Sequence, residues 1–475
     1  MIDGMFIKSN RKNFMYAIFV VATGFFWFGS AYFSYNEVLK IRFDPETASV
    51  LTTSLTYGAQ MLGILLYVWI AARSKKRAES KFMMSLSFAL SAAGILGSFI
   101  TSNVAVIILS GVLFNLFGTN GLLLGCQLRF ITEKLPQRFY GRAFGLGYAV
   151  GSLGTALLAF VFGGRCPIGY TAVIVYIPFV LLNFISILFK DRFTKESMET
   201  ALPEHTEKGA PTAAKPVGKN LLLLFVSVIL IMGILDAISG LMKTAYLDTS
   251  NQVNTVYARI FYAVGLIPAG VLIDYSRRKG AIACLITRGF SFFLILLALT
   301  PMRGFEAVAL FYLLSGFFTV YRTVTAMDIA RKTPKLFYFV VFGILFGRLG
   351  EVIVTLPYSF IPMDLLTEIL TVSVLFVILL LMFFPFLKKL YDPVPPEPVF
   401  SKPEQTLDEL IVIYGITERE AEALRLLLDN KNTSDIAAAM VVTEGTVYKY
   451  ISSMITKTGA KNRLDLILRL AGKKN

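Results

Sequence analysis

The sequence predicts an all-α protein in which a polytopic membrane bundle precedes a small soluble helical domain. Composition is the first observation: 55% of the 475 residues are hydrophobic, 41 are Phe and 16% are charged, and the mean hydropathy is +0.66. The second is a series of apolar runs of about 20 residues, the length that crosses a bilayer as a helix. The third is a change near residue 407, after which charged and apolar residues recur with the spacing of short amphipathic helices.

Twelve apolar runs are the candidate membrane spans. Their approximate limits are 13–35, 47–72, 82–101, 104–128, 140–163, 168–189, 220–246, 255–273, 281–300, 305–327, 337–360 and 365–387. Lys8, Arg11 and Lys12 precede the first run, as they would in a signal peptide. Because more apolar runs follow it, the first run is interpreted as an uncleaved span.

Lys and Arg residues are concentrated in alternate loops. The outward-facing loops of the predicted topology hold only Lys40, Arg42, Arg165 and Arg303, whereas each loop on the other side holds three or more. Cytoplasmic loops keep cations that translocated loops lose, so this pattern predicts an even number of spans with both termini in the cytoplasm. Most of the net charge of +15 would then lie at the inner membrane face and does not by itself indicate nucleic acid.

Polar segments divide the chain into five predicted parts. These are an N-terminal six-span half at 1–189, a cytoplasmic linker at 190–219, a second six-span half at 220–387, a Pro-rich linker at 388–406 and a C-terminal domain at 407–475. The prolines of the second linker favour an extended and fairly stiff backbone. It is too short to hold another domain.

Gly270, Asp274 and the cations of residues 277–279 follow the eighth predicted span. They resemble the G-x-x-x-D-x-x-x-R signature of the major facilitator superfamily, whose two six-span halves are pseudo-repeats around a central cavity. The resemblance implies that carboxylate and cations lock neighbouring helix ends. The loop after the second span, residues 73–77, has the cations but neither the Gly nor the Asp.

The fourth span also departs from that superfamily, because it lacks the arginine that many of its transporters carry there. It offers Asn115, Asn120 and Gln127 instead. Together these departures favour a transporter-like body that senses a solute over one that performs proton-coupled transport.

Ionisable residues within the spans are concentrated in the second half: Asp236, Lys243, Arg259, Arg288, Arg322, Arg348 and Glu351. Charge within a membrane is costly, so each of them needs a partner or a function. Arg348 and Glu351 are spaced to pair with each other, and Lys243, Arg259 and Arg288 lie where extension to the interface would suffice. The candidate ligand-binding residues are Asp236, Arg322, Arg348, Glu351 and Asn120. An excess of cations would suit an anionic or phenolic small molecule.

Three helix starts follow one another in the C-terminal domain. Thr417 precedes Glu420 by three residues, Asn432 precedes Asp435, and Thr443 precedes Thr446, so that each first residue can cap the backbone amides of a first turn. Apolar residues then recur at helical spacing, which predicts four short helices around one core.

The residues of this module carry a second resemblance. They are Thr417, Arg419 and Glu420, then Asn432 to Ala437, then Thr443, Glu444, Thr446 and Val447, then Lys457, Gly459 and Arg463. In this spacing they resemble the DNA-binding domain of the LuxR (GerE-like) bacterial transcription regulators. Tyr448 and Tyr450 depart from that family, which has Lys and His there, although Lys449 keeps a cation at the start of the third helix.

The resemblance implies that the third helix enters the major groove of double-stranded operator DNA. It makes Tyr448, Lys449 and Ser452 the candidates for contact with base edges. The residues expected nearer the phosphates are Lys457, Lys461 and Arg463. Thr443 and Thr446, at the start of the same helix, complete the predicted DNA-binding set.

Lys and Arg scarcely outnumber Asp and Glu from residue 407 onward, so a single copy is expected to bind DNA weakly. A homodimer on a two-fold operator would strengthen binding, and the family's last helix, here Lys461 to Leu470, usually pairs. The alternative interpretation is that Tyr448 and Tyr450 mark a domain that has lost DNA binding and serves as a protein contact.

The sequence gives little support for catalysis or for a metal or nucleotide site. Cys126, Cys166 and Cys284 lack metal-ligand spacing, and a single His, His205, excludes most zinc sites and catalytic triads. No nucleotide-binding loop is recognisable. Neither an enzyme nor a metal nor a cofactor is therefore predicted.

The sequence as a whole predicts a membrane-bound, one-component bacterial transcription regulator of the inner membrane. Its predicted partners are operator DNA, the lipid bilayer, an unidentified small molecule and a second copy of the chain. Two alternatives stay open: a secondary active transporter with an accessory regulatory tail, and a scaffold that uses the tail for protein contacts.

Overall fold

The computed structural model describes most of the chain. Described are 2–199 except 75, 76, 78 and 79; 218–247; 255–298; 304–391 except 359, 360, 362 and 363; and 411, 414–429, 431–460, 462, 463, 466 and 467. Most of the predicted linker at 190–219, and the predicted linker at 388–406 from residue 392 onward, lie outside these residues. The chain forms two compact units, Met1–Asp392 and Pro393–Asn475.

The first half of the larger unit is a set of eight helices. They are α1 (Ile2–Arg42), α2 (Pro45–Thr53), α3 (Gln60–Arg73), α4 (Lys81–Ile100), α5 (Val104–Phe117), α6 (Leu122–Lys134), α7 (Tyr140–Val161) and α8 (Gly169–Glu199). A π-helical turn, Ser54–Ala59, joins α2 to α3, and a 3₁₀ turn, Gln137–Phe139, precedes α7.

The second half consists of six helices. They are α9 (Lys219–Leu247), α10 (Thr255–Tyr275), α11 (Arg277–Ala298), α12 (Gly304–Lys332), α13 (Phe342–Tyr358) and α14 (Leu365–Tyr391). Within the described residues, each of the twelve predicted spans lies on one of these helices or on two consecutive helical segments. Among the described residues, ten spans are long and apolar enough to cross a membrane.

Two predicted spans are interrupted where the sequence suggested continuous helices. The fourth span divides into α5 and α6 at residues 118–121, where Gly63 of α3 approaches the backbone of Leu116 and Gly121 so closely that a methyl group would not fit. The eleventh begins as a 3₁₀ segment, Pro334–Val341, in which Leu336 has non-helical angles, so α13 starts only at Phe342. Close backbone contact accounts for the first of the two breaks.

The two halves meet along α7 and α10. Gly141 at the start of α7 and Gly270 on α10 lie against each other, and a Cβ at either position would fall about 2.5 Å from the carbonyl oxygen of the other. Small residues therefore allow the two helices to approach backbone to backbone. Buried side chains of both halves form one continuous core.

The smaller unit holds three described helices, α15 (Glu418–Leu428), α16 (Thr433–Met440) and α17 (Glu444–Thr458). The capping box between Thr417 and Glu420 is confirmed, and Asn432 and Thr443 cap the next two helices as predicted. Most of the predicted fourth helix lies outside the described residues. Leu466, from that segment, is fully buried in the core that the three helices share.

Candidate functional site

One face of α17 is buried and the opposite face is free. Val447, Ile451 and Met454 point into the core of the small domain, at the three- and four-residue spacing of a helix face. Tyr448, which is 58% exposed, and the exposed Lys449 lie on the opposite side. Helix α17 therefore offers polar and aromatic groups to a partner along one side.

The other residues of the predicted set complete the start of α17. Ser452 is exposed one turn beyond Tyr448. Thr443 accepts a hydrogen bond from the Thr446 amide at 3.3 Å, and the two hydroxyl groups lie 2.9 Å apart. Tyr450 is half-buried and packs against the core, so this departure from the family pattern adds apolar contact within the domain.

Two of the predicted phosphate contacts are engaged inside the domain. Lys457 Nζ lies 2.6 Å from Glu420 Oε2 and ties α17 to α15. Arg463 donates to Thr433 Oγ1 at 3.0 Å and to the Lys431 carbonyl at 3.3 Å, which ties the segment after α17 to the start of α16. Contact of these cations with phosphate stays a prediction, and Lys461 lies outside the described residues.

Glu420 is the electrostatic centre of these contacts. Burial alone would raise its pKa, but hydrogen bonds from Lys457, Ser453 and Thr417 favour the charged form and lower the pKa to about 2. The carboxylate completes the capping box of α15 by accepting from the Thr417 amide at 2.7 Å. One side chain thus fixes both the start of α15 and the position of α17.

The turn between α16 and α17 holds an unusual backbone conformation. Val441 has φ 55° and ψ 48°, in the left-handed region, and its side chain is 90% exposed. A β-branched residue is rarely found there, because its Cβ approaches the following carbonyl oxygen. The turn sets the angle between the two helices of the helix-turn-helix, so the strain lies next to the candidate DNA-reading helix.

In the larger unit, the predicted pair of Arg348 and Glu351 is confirmed and gains a third member. Arg348 Nη1 lies 2.5 Å from Glu351 Oε2, and Arg322 Nη1 of α12 lies 3.3 Å from Glu351 Oε1. All three side chains are largely buried. Gly347 makes room for this contact, since a Cβ there would overlap Arg322 Nη1.

Asp236 forms a separate polar cluster in the same half. It pairs with Arg288 of α11, and Ser315 Oγ of α12 donates to Asp236 Oδ1 at 3.2 Å. Arg288 is only 3% exposed, so the expectation that it extends to the membrane interface is wrong. Arg259 stacks 4.7 Å from the ring centroid of Phe33, and the side chain of Lys243 lies outside what the structure describes.

Asn120 lies in the interruption between α5 and α6 and is 6% exposed. Nearby, the buried Gln60 Nε2 donates to Asn115 Oδ1 at 2.9 Å, and Thr119 Oγ1 donates to the Gly24 carbonyl at 3.2 Å. Broken membrane helices often mark binding sites. Sequence reasoning missed this break, although Gly118 and Gly121 within an apolar run were its signal.

Asp274 joins neighbouring helix ends, as the superfamily signature implied, and one of these ends belongs to the other half. Its carboxylate accepts hydrogen bonds from the backbone amides of Gly141 and Arg142 at the start of α7, both at 2.8 Å. A carboxylate at a helix N-terminus is favoured by the amides there and by the helix dipole. Asp274 on α10 therefore caps a helix of the other half.

Arg277 extends this link to two groups that the sequence did not reveal. Its Nε lies 2.8 Å from Asp328 Oδ2 of α12, and its Nη2 donates to the Gln137 carbonyl at 2.6 Å. Gln137 Nε2 in turn donates to Asp328 Oδ1 at 2.8 Å. We call Asp274, Arg277, Asp328 and Gln137 the inter-half lock.

The folds and sites together define a membrane protein with a transporter-like bundle and a DNA-binding helix-turn-helix domain. Residues 415–470 match the family model described as bacterial regulatory proteins, luxR family. The spore germination protein GerE of Bacillus subtilis is 36% identical over 55 residues, which are 12% of this chain and 74% of that protein. The chain therefore belongs to the luxR family through its C-terminal domain.

Two further relatives from Bacillus subtilis are similar over smaller shares of their own length. The transcriptional regulatory protein DesR is 35% identical over 82 residues, 17% of this chain and 36% of that protein. An uncharacterized transcriptional regulatory protein, YvfU, is 43% identical over 67 residues, 14% of this chain and 33% of that protein. The chain thus spans about a third of the length of these two relatives.

A solved structure shares the fold of the larger part of the chain. It is the crystal structure of a bacterial homologue of the iron transporter ferroportin in the outward-facing state. The TM-score is 0.53 at 13% identity, over 80% of this chain and 99% of that one. At this identity the similarity shows the fold, which confirms the predicted all-α bundle of the major facilitator type.

Proposed function

We propose that this protein is a membrane-anchored one-component transcription regulator, in which the bundle binds a small molecule and the C-terminal domain binds operator DNA. One observation carries the proposal. A single chain holds both a polytopic bundle with ion pairs buried inside it and a luxR-family domain whose third helix leaves Tyr448, Lys449 and Ser452 uncovered. No catalytic step is part of this proposal.

The proposed topology places both termini in the cytoplasm and the bundle in the inner membrane. The distribution of Lys and Arg among the loops supports it. Operator DNA is then accessible to the C-terminal domain. We further propose that the domain binds DNA as a homodimer, since one nearly neutral copy neutralises few phosphates.

The bundle offers a physical route from ligand to signal. Tyr57 of the first half lies over Arg348 of the second, with the guanidinium carbon 5.2 Å from the ring centroid. A ligand bound here would contact both halves and would favour whichever arrangement it binds more tightly. The signal is the shift between these arrangements.

A secondary active transporter with a regulatory tail is the second candidate. The observation in its favour is that a protein of similar fold is described as a homologue of an iron transporter. Uptake of a solute by vesicles that contain the protein, abolished by Arg348→Gln, would favour this candidate. Absence of uptake together with promoter occupancy would favour the regulator.

The test of the proposed function uses the full-length protein in its own cell. Tyr448→Ala and Lys449→Ala remove groups from the exposed face of α17, where a good base contact is worth about 1–3 kcal/mol, so occupancy of the promoters that the wild-type protein binds should fall roughly tenfold or more. Chromatin immunoprecipitation and transcript levels measure this. Glu422→Ala, on an exposed part of α15, is the control.

Unchanged promoter occupancy in both α17 variants, at wild-type abundance in the membrane, would overturn the DNA-binding proposal. It would leave the scaffold alternative, in which α17 contacts a protein.

A further inference from the structure

The cluster of Arg322, Glu351 and Arg348 carries more positive than negative charge. Two guanidinium groups share one carboxylate, one on each oxygen. The neighbouring pair of Asp236 and Arg288 is balanced and does not offset the difference. A buried excess charge in a membrane protein is costly unless a counter-ion accompanies it.

Both arginines also hold donors that the described residues leave unused. Arg322 Nε and Arg348 Nε are buried and have no hydrogen-bond partner within the described part of the chain. Arg322 is 5% exposed, and each arginine uses a single nitrogen on Glu351. A guanidinium binds a carboxylate best through two parallel hydrogen bonds, so the two arginines keep donors that a second planar anion could accept from.

The surroundings of the cluster are aromatic on both sides. Phe318 lies under Arg322, with 4.9 Å between the guanidinium carbon and the ring centroid, and Tyr57 lies over Arg348. Tyr57 belongs to the π-helical turn of the second span, a rare element that is frequent at functional sites. The rings would contact an apolar or aromatic body attached to the anionic group.

A second pair of aromatic rings belongs to helices beside the cluster. Tyr262 of α10 shares a hydrogen bond of 2.8 Å with Thr319 Oγ1, which lies one turn before Arg322 on α12. Tyr148 of α7 lies 5.4 Å from Tyr262 between ring centroids. Rings from both halves of the bundle therefore contact the cluster, Tyr57 from the first half and Phe318 from the second.

We propose that the Arg322–Glu351–Arg348 cluster binds the carboxylate of a monoanionic organic ligand, whose apolar body packs between Tyr57 and Phe318. This inference rests on the proposed function, because it names the chemical class that the bundle senses. A carboxylate would take the unused donors and balance the excess charge, whereas a neutral ligand of the same shape would do neither.

Equilibrium binding of radiolabelled benzoate to the full-length protein in lipid nanodiscs tests the proposal. Benzoate should bind saturably, benzamide should not compete although it has the same shape, and chloride should not compete at equal concentration. Arg348→Gln should weaken binding about tenfold or more, as the loss of a charge-assisted hydrogen bond does. Arg259→Gln, which alters a guanidinium over Phe33, should leave the affinity unchanged.

Two further variants keep the result independent of folding defects. Glu351→Gln removes the carboxylate that competes for both guanidinium groups and should tighten benzoate binding. Gly347→Ala places a methyl group against Arg322 Nη1 and should weaken it. Gain in one variant and loss in the other cannot both follow from general destabilisation.

Several outcomes would overturn the inference. They are the absence of saturable benzoate binding by both the wild type and Glu351→Gln, equal competition by benzamide, and displacement by chloride at equal concentration. If any of these is found while promoter occupancy still falls in Tyr448→Ala, the proposed ligand class is wrong and the proposed regulator function is retained. If promoter occupancy also fails to respond, the proposed function falls with it.

Discussion

At the scale of single residues, Val441 and Glu420 show how local strain and local charge shape the small domain. Val441 holds a left-handed backbone conformation with its side chain in solvent, so it contributes strain without burial. Glu420 is buried and has its charge satisfied by neighbours from three positions. Neither property follows from residue type alone.

Replacing Val441 by Asn should stabilise the domain. The left-handed conformation costs a typical L-residue about 1–2 kcal/mol and costs Asn less, while little apolar contact is lost at an exposed position. The free energy of unfolding of a 407–475 fragment, from urea titration, should rise by about 1 kcal/mol. Such a fragment has its own core.

Val442→Asn is the matched control for this substitution. Val442 packs against the core, and its φ is not positive, so Asn at this position should destabilise the fragment. Equal effects at the two positions would contradict the strain argument.

Glu420 should make the free energy of unfolding of the same fragment depend on pH in the acid range. Its folded pKa of about 2 lies below the usual value, so its stabilisation is complete above the unfolded pKa and is lost as pH falls from about 5 to about 2. The loss should be on the order of 2–3 kcal/mol, and Glu420→Gln should abolish this part of the pH dependence.

Urea titrations at a series of pH values measure this dependence. Glu422→Gln is the control, because the pair of Glu422 with Arg419 is largely exposed and an exposed ion pair contributes little. A fragment with Glu420→Gln that loses as much stability in acid as the wild type would assign the dependence to another group.

At the scale of elements, helix ends and helix contacts organise the bundle. The start of α7 is capped by a carboxylate that belongs to α10 of the other half. Gly141 and Gly270 bring the same two helices together. The inter-half lock therefore joins the start of α7 and the 3₁₀ turn before it to three helices of the second half, α10, α11 and α12.

Asp274→Asn should open this end. The substitution removes the charge that favours two backbone amides and two guanidinium groups, interactions worth on the order of 1–3 kcal/mol. Arg138 and Lys279 are both exposed, one in each half, and Cys introduced at these positions can carry spin labels. Double electron–electron resonance between the two labels then measures the separation of the halves. The distance distribution should broaden and move to longer values.

Asp364→Asn is the control for the lock. Asp364 is also a carboxylate at a helix start, where it accepts hydrogen bonds from Thr367, but both residues belong to the second half. An unchanged distance distribution in Asp274→Asn would show that the glycine contact holds the halves together without the charge.

At the scale of the whole molecule, the chain combines a helical bundle whose surface suits lipid with a small domain whose surface suits water. The bundle exposes large apolar side chains over much of its surface, including Trp69, Phe160 and Leu381, as a lipid-facing surface requires. The small domain buries its apolar residues in a core of its own and leaves polar groups outside. The proposed regulator function rests on this combination, because the bundle would bind the small molecule and the small domain would bind DNA.

Much of this architecture was predictable because it depends on local patterns. Apolar runs of membrane length placed all twelve spans on helices, and the capping residues at Thr417, Asn432 and Thr443 located the starts of the three described domain helices. The pairing of Arg348 with Glu351 followed from their spacing on one helix face. Hydrophobic period and cap chemistry are properties of neighbouring residues, so the sequence alone carries them.

Contacts between distant segments were decided only by the tertiary structure. Arg322 reaches Glu351 from another helix, Arg288 pairs with Asp236, and Asp328 and Gln137 join the inter-half lock across about 190 residues of chain. The break at residues 118–121 likewise depends on which backbones approach each other. The physical reason is that a helix pattern shows which side of a segment is buried, but only packing determines which charges and backbones meet there.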